Sequence, residues 1–155
     1  MSGESNKLCG TFSRLAHVSI VVKDIMESVQ YYESLGIGPF KKPEHHIFSV
    51  TAFRGVPLES KLIIREANIG TVTLQLVQHI SGDHIVKEFI DRRGYGVYHL
   101  GFLVENIDEH EKDMTRRGID VLQKGRREDG TGYSYFDTES KAGIILEIKE
   151  YSKDR

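Results

Sequence analysis

Two histidines open two similar stretches of this sequence, and a polar residue follows each of them in an apolar run. His17 begins the run HVSIVVKDI, and His99 begins the run HLGFLVENI, with a Gly-Ile pair at the same distance beyond each. The first stretch leads to Gln75 within TLQLV, and the second leads to Glu147 within ILEIK. A sequence that repeats in this way predicts two like modules that face each other across a pseudo-twofold axis. We therefore expect the four polar side chains to meet at one centre.

The four side chains are ligands that suit a borderline divalent metal ion such as Zn, Co, Ni, Mn or Fe(II). An isolated histidine on a strand is more often hydrogen-bonded to backbone, but two at equivalent repeat positions favour a metal site. Glu147, which stands between Leu146 and Ile148, would be costly to bury without a cation or a donor network. Four protein ligands on an octahedral ion leave two positions for water or substrate. That arrangement suits a Lewis acid that polarises a carbonyl and stabilises an enolate.

Enolate chemistry also needs a base, and the sequence offers Glu59, which precedes a strand of the first module. The alternative interpretation of Glu59 is a solvated loop charge. His45 and His46 lie in a polar stretch and are expected at the surface. Arg126 and Arg127 belong to a charged loop, where we expect them to be solvated unless one of them binds a substrate phosphate.

The elements that position these residues are predicted to form two βαβββ modules, at about 15–78 and 97–150. Alternating apolar residues, helical spacing and glycine stops predict eight strands, at 15–22, 47–53, 62–66, 71–77, 97–104, 120–123, 133–136 and 143–150. Asp24 is placed to cap the first helix, which Gly36 ends, and further helices are expected at 84–93 and 108–117. Strand alternation puts both histidines on the concave face of the sheet. The fold class is therefore α+β, with eight strands curled into an open barrel.

Length and composition predict one soluble domain. The chain has 155 residues and 17.6 kDa, and we expect a disordered lead at 1–12 before a domain at 13–150. A net charge of −2 argues against nucleic acid or an acidic membrane as partner. No apolar run approaches the roughly 18 residues that span a bilayer. Cys9 is the lone cysteine, and the start lacks an apolar signal core, so we expect a cytoplasmic protein.

The stretch from Leu15 to Glu150 resembles the vicinal oxygen chelate (glyoxalase/bleomycin resistance/dioxygenase) superfamily, and within it most closely the methylmalonyl-CoA epimerase family. The resemblance rests on HVSIVVKDI with the Tyr-Tyr-Glu that follows it at 31–33. It also rests on the link between the modules, IVK and then FIDRRG, which runs into GVYHLGF at 96–102. The closing run GIILEI at 143–148 is similar to the last strand of the family.

The resemblance implies a glyoxalase-like fold in which His17, Gln75, His99 and Glu147 bind the metal. It implies Glu59 as the base and Glu147 as the second catalytic carboxylate. The implied activity is that of a divalent-metal-dependent epimerase or racemase, which acts through an enolate at the carbon alpha to a thioester. The implied substrate is methylmalonyl-CoA or a similar acyl-CoA, and the implied assembly is a homodimer.

Two stretches depart from the epimerase pattern, at 83–85 and 129–132, and they lie where an acyl-CoA is expected to bind. Three alternatives on the same scaffold therefore stay open. A lactoylglutathione lyase-type isomerase is the first, although that enzyme usually carries Glu where this chain has Gln75. A ring-cleaving Fe(II) dioxygenase would use three ligands and an open face, and Gln75 argues against it. A metal-free binding protein of the drug-resistance type is disfavoured by the intact set of four ligands.

Overall fold

A computed structural model describes residues 10–44 and 48–153 and shows a mixed α+β fold built on one curled, open sheet. The strands are β1 (Leu15–Val21), β2 (Val50–Phe53), β3 (Val56–Pro57), β4 (Ser60–Ile69), β5 (Val72–Gly82), β6 (Gly96–Leu103), β7 (Val121–Arg126), β8 (Gly132–Phe136) and β9 (Ile145–Glu150). The helices are α1 (Ile25–Ser34), α2 (Ile85–Arg93), α3 (Ile107–Arg116) and α4 (Glu139–Ala142).

The sheet runs in the order β3-β2-β7-β8-β9-β6-β1-β5-β4 and forms a half-barrel. The leading strands of the two modules, β1 and β6, lie antiparallel to each other in its middle. Each is parallel to the last strand of its own module, since β1 pairs with β5 and β6 pairs with β9. The predicted α+β fold with a curled sheet is confirmed. The ninth strand is the two-residue β3, which forms a hairpin with β2.

The first module departs from the predicted arrangement at β2. Apart from its short hairpin with β3, this strand does not pair within its own module but joins β7 of the second module, with Val50 opposite Arg126 and Phe53 opposite Gln123. The pairing carries the sheet across from one module to the other. Because β7 extends to Arg126, the charged loop that was predicted to contain Arg126 and Arg127 is reduced to a turn at 127–131.

The helices pack their apolar residues against the sheet. Asp24 caps α1 as predicted, because its carboxylate accepts a hydrogen bond from the Glu27 N–H. Ile25 and Val29 of α1 pack with Leu76 of β5. In the described residues no helix is long and apolar enough to cross a membrane.

Two residues of the expected disordered lead, Thr11 and Phe12, pack against the domain. Thr11 is fully buried, with its Oγ1 2.7 Å from Nδ1 of His110, and the ring of Phe12 lies edge-on to Phe102. These contacts place residues 11 and 12 with the domain, whereas residues 1–9 of the expected lead lie outside the described residues. Cys9, His45 and His46 also lie outside them.

Candidate metal centre

The strand pairing places the two candidate ligands of each module in the same relative positions. In the first module His17 lies opposite Thr73, and so Gln75 stands two residues further along the parallel strand. In the second module His99 lies opposite Ile145, and so Glu147 stands two residues further along. Residues two apart share a face of a sheet. Each module therefore presents one histidine and one longer polar side chain on the same face.

The structure brings three of the four side chains into one buried cluster. Nε2 of His17 lies 2.7 Å from Nε2 of His99 and 3.1 Å from Oε1 of Glu147. The third separation, between His99 Nε2 and Glu147 Oε1, is 3.6 Å. An ion with bonds of about 2.1 Å holds neighbouring octahedral ligands about 3 Å apart. The spacing of the three atoms therefore matches that of ligands that point at a common ion.

The hydrogen bonding of the cluster is incomplete without a cation. Among the described residues, Glu147 Oε1 and His99 Nδ1 are buried and have no hydrogen-bond partner. Burial lowers the pKa of His99 to about 4, so this imidazole is neutral at pH 7. Burial acts to raise the pKa of Glu147, but His99 and His17 outweigh it and hold that pKa well below its ordinary value. A neutral imidazole beside an ionised carboxylate is the protonation state that metal binding requires.

Gln75 lines the same cavity as His17 and Glu147, and two neighbours fix the orientation of its amide. Its Nε2 donates to Glu66 Oε2 at 3.0 Å, while its Oε1 accepts from Ser19 Oγ at 2.8 Å. An ionised carboxylate only accepts hydrogen bonds, so the amide NH₂ must face Glu66. The carbonyl oxygen is therefore the atom that remains for a ligand. Sequence reasoning missed both partners, although Ser19 lies on the His17 face of β1.

Gly101 makes room for the ring of His17. The two residues lie opposite each other in the β1–β6 pair. A β-carbon at position 101 would overlap the atoms of the His17 imidazole. The second histidine, His99, faces Ser19 at the equivalent position. A small residue therefore stands across from each histidine ring.

Two residues of the cluster, His17 and Glu147, line a cavity of about 660 Å³, which is in the size range of small-molecule sites. Other parts of the wall carry the polar side chains of His84 and Gln123 and the hydroxyl of Tyr133. Lys149 lies two residues beyond Glu147 on β9, and its Nζ is 3.5 Å from Nδ1 of His17. The cavity thus joins the candidate metal ligands to further donors and to a cation.

The structure does not bring Glu59 to the cluster. Its side chain is exposed, and the next residue, Ser60, pairs with Gly82 at the far end of β5. Gln75 pairs instead with Glu66, which lies seven residues beyond Glu59, or about 23 Å of extended chain at about 3.3 Å per residue. The exposed side chain fits the interpretation of Glu59 as a solvated charge. Its neighbours Leu58 and Ser60 line the cavity, and its role as the base stays a prediction.

The two arginines of the charged loop have different environments, and Arg126 is not solvated as expected. It is mostly buried, and its guanidinium bonds Glu111 at 2.7 Å and Asp108 at 3.1 Å, which ties β7 to α3. Arg127 lines the cavity and stacks on the ring of Phe48, with 4.7 Å from its Cζ to the ring centre.

Residues 16–136 match the family model of the glyoxalase/bleomycin resistance protein/dioxygenase superfamily. The chain is similar to the uncharacterized protein YqjC of Bacillus subtilis (strain 168), with 23% identity over 146 residues, 92% of this chain and 96% of that one. Its fold is similar to methylmalonyl-CoA epimerase from Mycobacterium tuberculosis, with TM-score 0.68, 16% identity and coverage of 94% and 93%. It is also similar to Streptomyces coelicolor methylmalonyl-CoA epimerase in complex with 2-nitronate-propionyl-CoA, with TM-score 0.65, 20% identity and coverage of 92% and 96%. The resemblance found in the sequence is thereby confirmed.

Proposed function

This chain belongs to the glyoxalase/bleomycin resistance protein/dioxygenase superfamily, and we propose that it is a divalent-metal-dependent epimerase or racemase. Its reaction would pass through an enolate at the carbon alpha to a thioester, on a methylmalonyl-CoA-like substrate. The observation that carries the proposal is the buried convergence of His17, His99 and Glu147. The epimerase neighbours, one of them bound to an acyl-CoA analogue, support the substrate class.

The proposed metal ligands are His17, Gln75, His99 and Glu147. A divalent ion bound by them supplies a Lewis acid that polarises a carbonyl and favours its enolate. Glu66 keeps the Gln75 amide turned so that its oxygen is available. The metal identity is left open by the donor set, which suits several borderline ions.

Proton transfer is assigned to Glu147, the one carboxylate that the described residues bring into the cluster. Its Oε1 faces the two imidazole nitrogens, and its second oxygen is left to take the α-proton from one face of the substrate. Inversion then requires a proton on the opposite face of the enolate, which solvent would supply. Glu59, the base implied by the family resemblance, is exposed and remote from Gln75 along β4. We therefore assign no proton to Glu59.

The proposal predicts that the protein exchanges a substrate α-proton with solvent. In D₂O, methylmalonyl-CoA should gain deuterium at its α-carbon faster with the metal-loaded protein than without it. About one divalent ion should bind per chain, as measured by elemental analysis after dialysis. The His17→Ala/His99→Ala variant should lose both properties. Full metal occupancy in that variant would refute the centre, and absence of exchange with loaded wild type would refute the substrate.

One observation favours a second candidate, a ring-cleaving Fe(II) dioxygenase. The three convergent side chains are two histidines and one carboxylate, a set that non-haem Fe(II) oxygenases use. Oxygen uptake with catechol by anaerobically Fe(II)-loaded protein, together with no deuterium exchange, would select this candidate.

We further infer a homodimer. Closed twofold assemblies are the commonest oligomers, and the family resemblance points the same way. Tyr31 on α1 and Leu35 directly after its last residue are 65% and 60% exposed, and they give this end of the helix an apolar surface of the kind found at interfaces.

A further inference from the structure

His84 and Gln123 form a second polar pair in the cavity wall, separate from the candidate metal ligands. Both are more than nine-tenths buried. Each accepts a hydrogen bond from a backbone N–H in the first turn of α2. Ile85 N donates to Gln123 Oε1 at 3.0 Å, and Val86 N donates to His84 Nδ1 at 3.0 Å. The two side chains thus satisfy helix N–H groups that would otherwise be buried without partners.

These two bonds decide where the hydrogens of the side chains lie. A backbone N–H can only donate, so His84 Nδ1 carries no hydrogen. Burial, with smaller effects from His79 and His99, lowers the pKa of His84 to about 3, and the ring is neutral at pH 7. Its single hydrogen must therefore be on Nε2. By the same reasoning Gln123 keeps its oxygen toward Ile85 and turns its NH₂ the other way.

The result is that two donors face each other. Gln123 Nε2 lies 3.0 Å from His84 Nε2, and both atoms carry hydrogen. Rotating the Gln123 amide by 180° only moves the conflict, because its NH₂ would then meet the Ile85 N–H. Gln123 can place one hydrogen on the hydroxyl oxygen of Tyr133, at 3.2 Å. The His84 Nε2–H has no such acceptor among the described residues, and an unmade buried hydrogen bond is costly.

We propose that His84 and Gln123 form a subsite for a carboxylate or carbonyl oxygen of the substrate. One oxygen placed beside the facing nitrogens accepts from both and removes their conflict. Both residues line the cavity that also holds His17 and Glu147. The N-terminus of α2, nine residues long, lies behind the pair and favours a negative ligand atom. The inference rests on the proposed function, since it places the second oxygen group of the substrate whose first group lies at the metal centre.

The first test needs neither metal nor substrate. The ¹⁵N spectrum of histidine-labelled, metal-free protein at pH 7 should show His84 as the neutral Nε2–H tautomer. Addition of succinate should shift the ring nitrogen and Hε2 signals in a saturable way. An Nδ1–H tautomer, or signals that no dicarboxylate or acetate moves, would overturn the subsite while leaving the metal proposal untouched.

The second test uses the Co(II)-loaded protein and a series of small acids. Malonate, succinate and glutarate span different lengths, and acetate reaches only one site. The best-fitting dicarboxylate should bind at least tenfold more tightly than acetate, because hydrogen bonds to charged groups are the stronger ones. Spectral change of the bound Co(II) reports binding. Failure to bind Co(II) would refute the metal centre rather than the subsite, which the labelled metal-free protein still tests.

Gln123→Glu is the informative variant, because its carboxylate accepts from both Ile85 N–H and His84 Nε2–H. The fold is kept, the conflict disappears, and a negative charge occupies the subsite. The matched control is Gln78→Glu, since Gln78 accepts from Ile25 N at 2.9 Å at the start of α1 but does not line the cavity. The tighter binding of the best-fitting dicarboxylate, relative to acetate, should be lost in Gln123→Glu and kept in Gln78→Glu. If Gln123→Glu still binds the dicarboxylate more tightly than acetate by the same factor, the proposal is overturned.

Discussion

Glu147 shows most directly why the candidate centre needs a cation. It is buried and held ionised by two imidazoles, yet its Oε1 makes no hydrogen bond to the described residues. A buried charge in that state is costly unless it is paired and fully hydrogen-bonded. A bound divalent ion would satisfy the carboxylate and both Nε2 atoms together.

The role of Glu66 in orienting Gln75 can be distinguished by mutation from the role of Glu59 as a base. Glu66→Leu removes the acceptor that orients the Gln75 amide and should weaken metal binding about ten- to a hundredfold, as loss of outer-shell partners does. Glu59→Leu removes a comparable charge from an exposed position before the same strand and should change neither metal affinity nor α-proton exchange. Calorimetric titration with Co(II) and deuterium exchange measure the two effects. Lost exchange in Glu59→Leu with its metal retained would restore Glu59 as the base.

The four candidate ligands could be predicted because each repeat contains one histidine and one longer polar residue at matching positions. The partners of Gln75 could not, because the contact between Gln75 and Glu66 depends on the register of β4 against β5. The place of Glu59 depends on the same register. Ser60, which follows it, pairs with Gly82, so Glu59 lies just beyond the end of the β4–β5 pair, and its role as the base stays a prediction.

The pairing of β1 with β6 is the element that makes the centre possible. It brings one histidine from each module onto adjacent strands two residues apart in register, and each histidine faces a small residue. The strand alternation behind this was visible in the sequence. The joining of β2 to β7 was not, because no local pattern distinguishes a partner in the same module from one in the other.

Gly101→Ala should damage the metal site without touching a ligand. The new methyl group overlaps the His17 ring and must displace it from His99. We expect metal affinity to fall at least tenfold and stability to fall by about 1–3 kcal/mol, the usual cost of overpacking. Gly10→Ala is the control, because a β-carbon there meets open space. Cobalt titration and thermal unfolding report the two losses, and unchanged metal affinity in Gly101→Ala would contradict the steric argument.

At the scale of the whole molecule, one chain supplies every proposed ligand. His17 and Gln75 come from the first module, and His99 and Glu147 come from the second. The cavity is lined by residues of the same chain. The duplication within the chain thus performs what two identical subunits would otherwise have to do, and the centre does not depend on assembly.

This independence gives the proposed homodimer a specific signature. Sedimentation equilibrium at tens of micromolar should give a mass of about 35 kDa, twice the 17.6 kDa of one chain. Dilution should then dissociate the dimer while metal affinity per chain stays constant, because no ligand comes from the partner. Tyr31→Lys, which charges the exposed apolar face of α1, tests that surface as the interface, with Met26→Lys on the same helix as its control. A monomer at the higher concentration would refute the dimer. A metal affinity that falls as the dimer dissociates would show instead that the centre is shared between subunits.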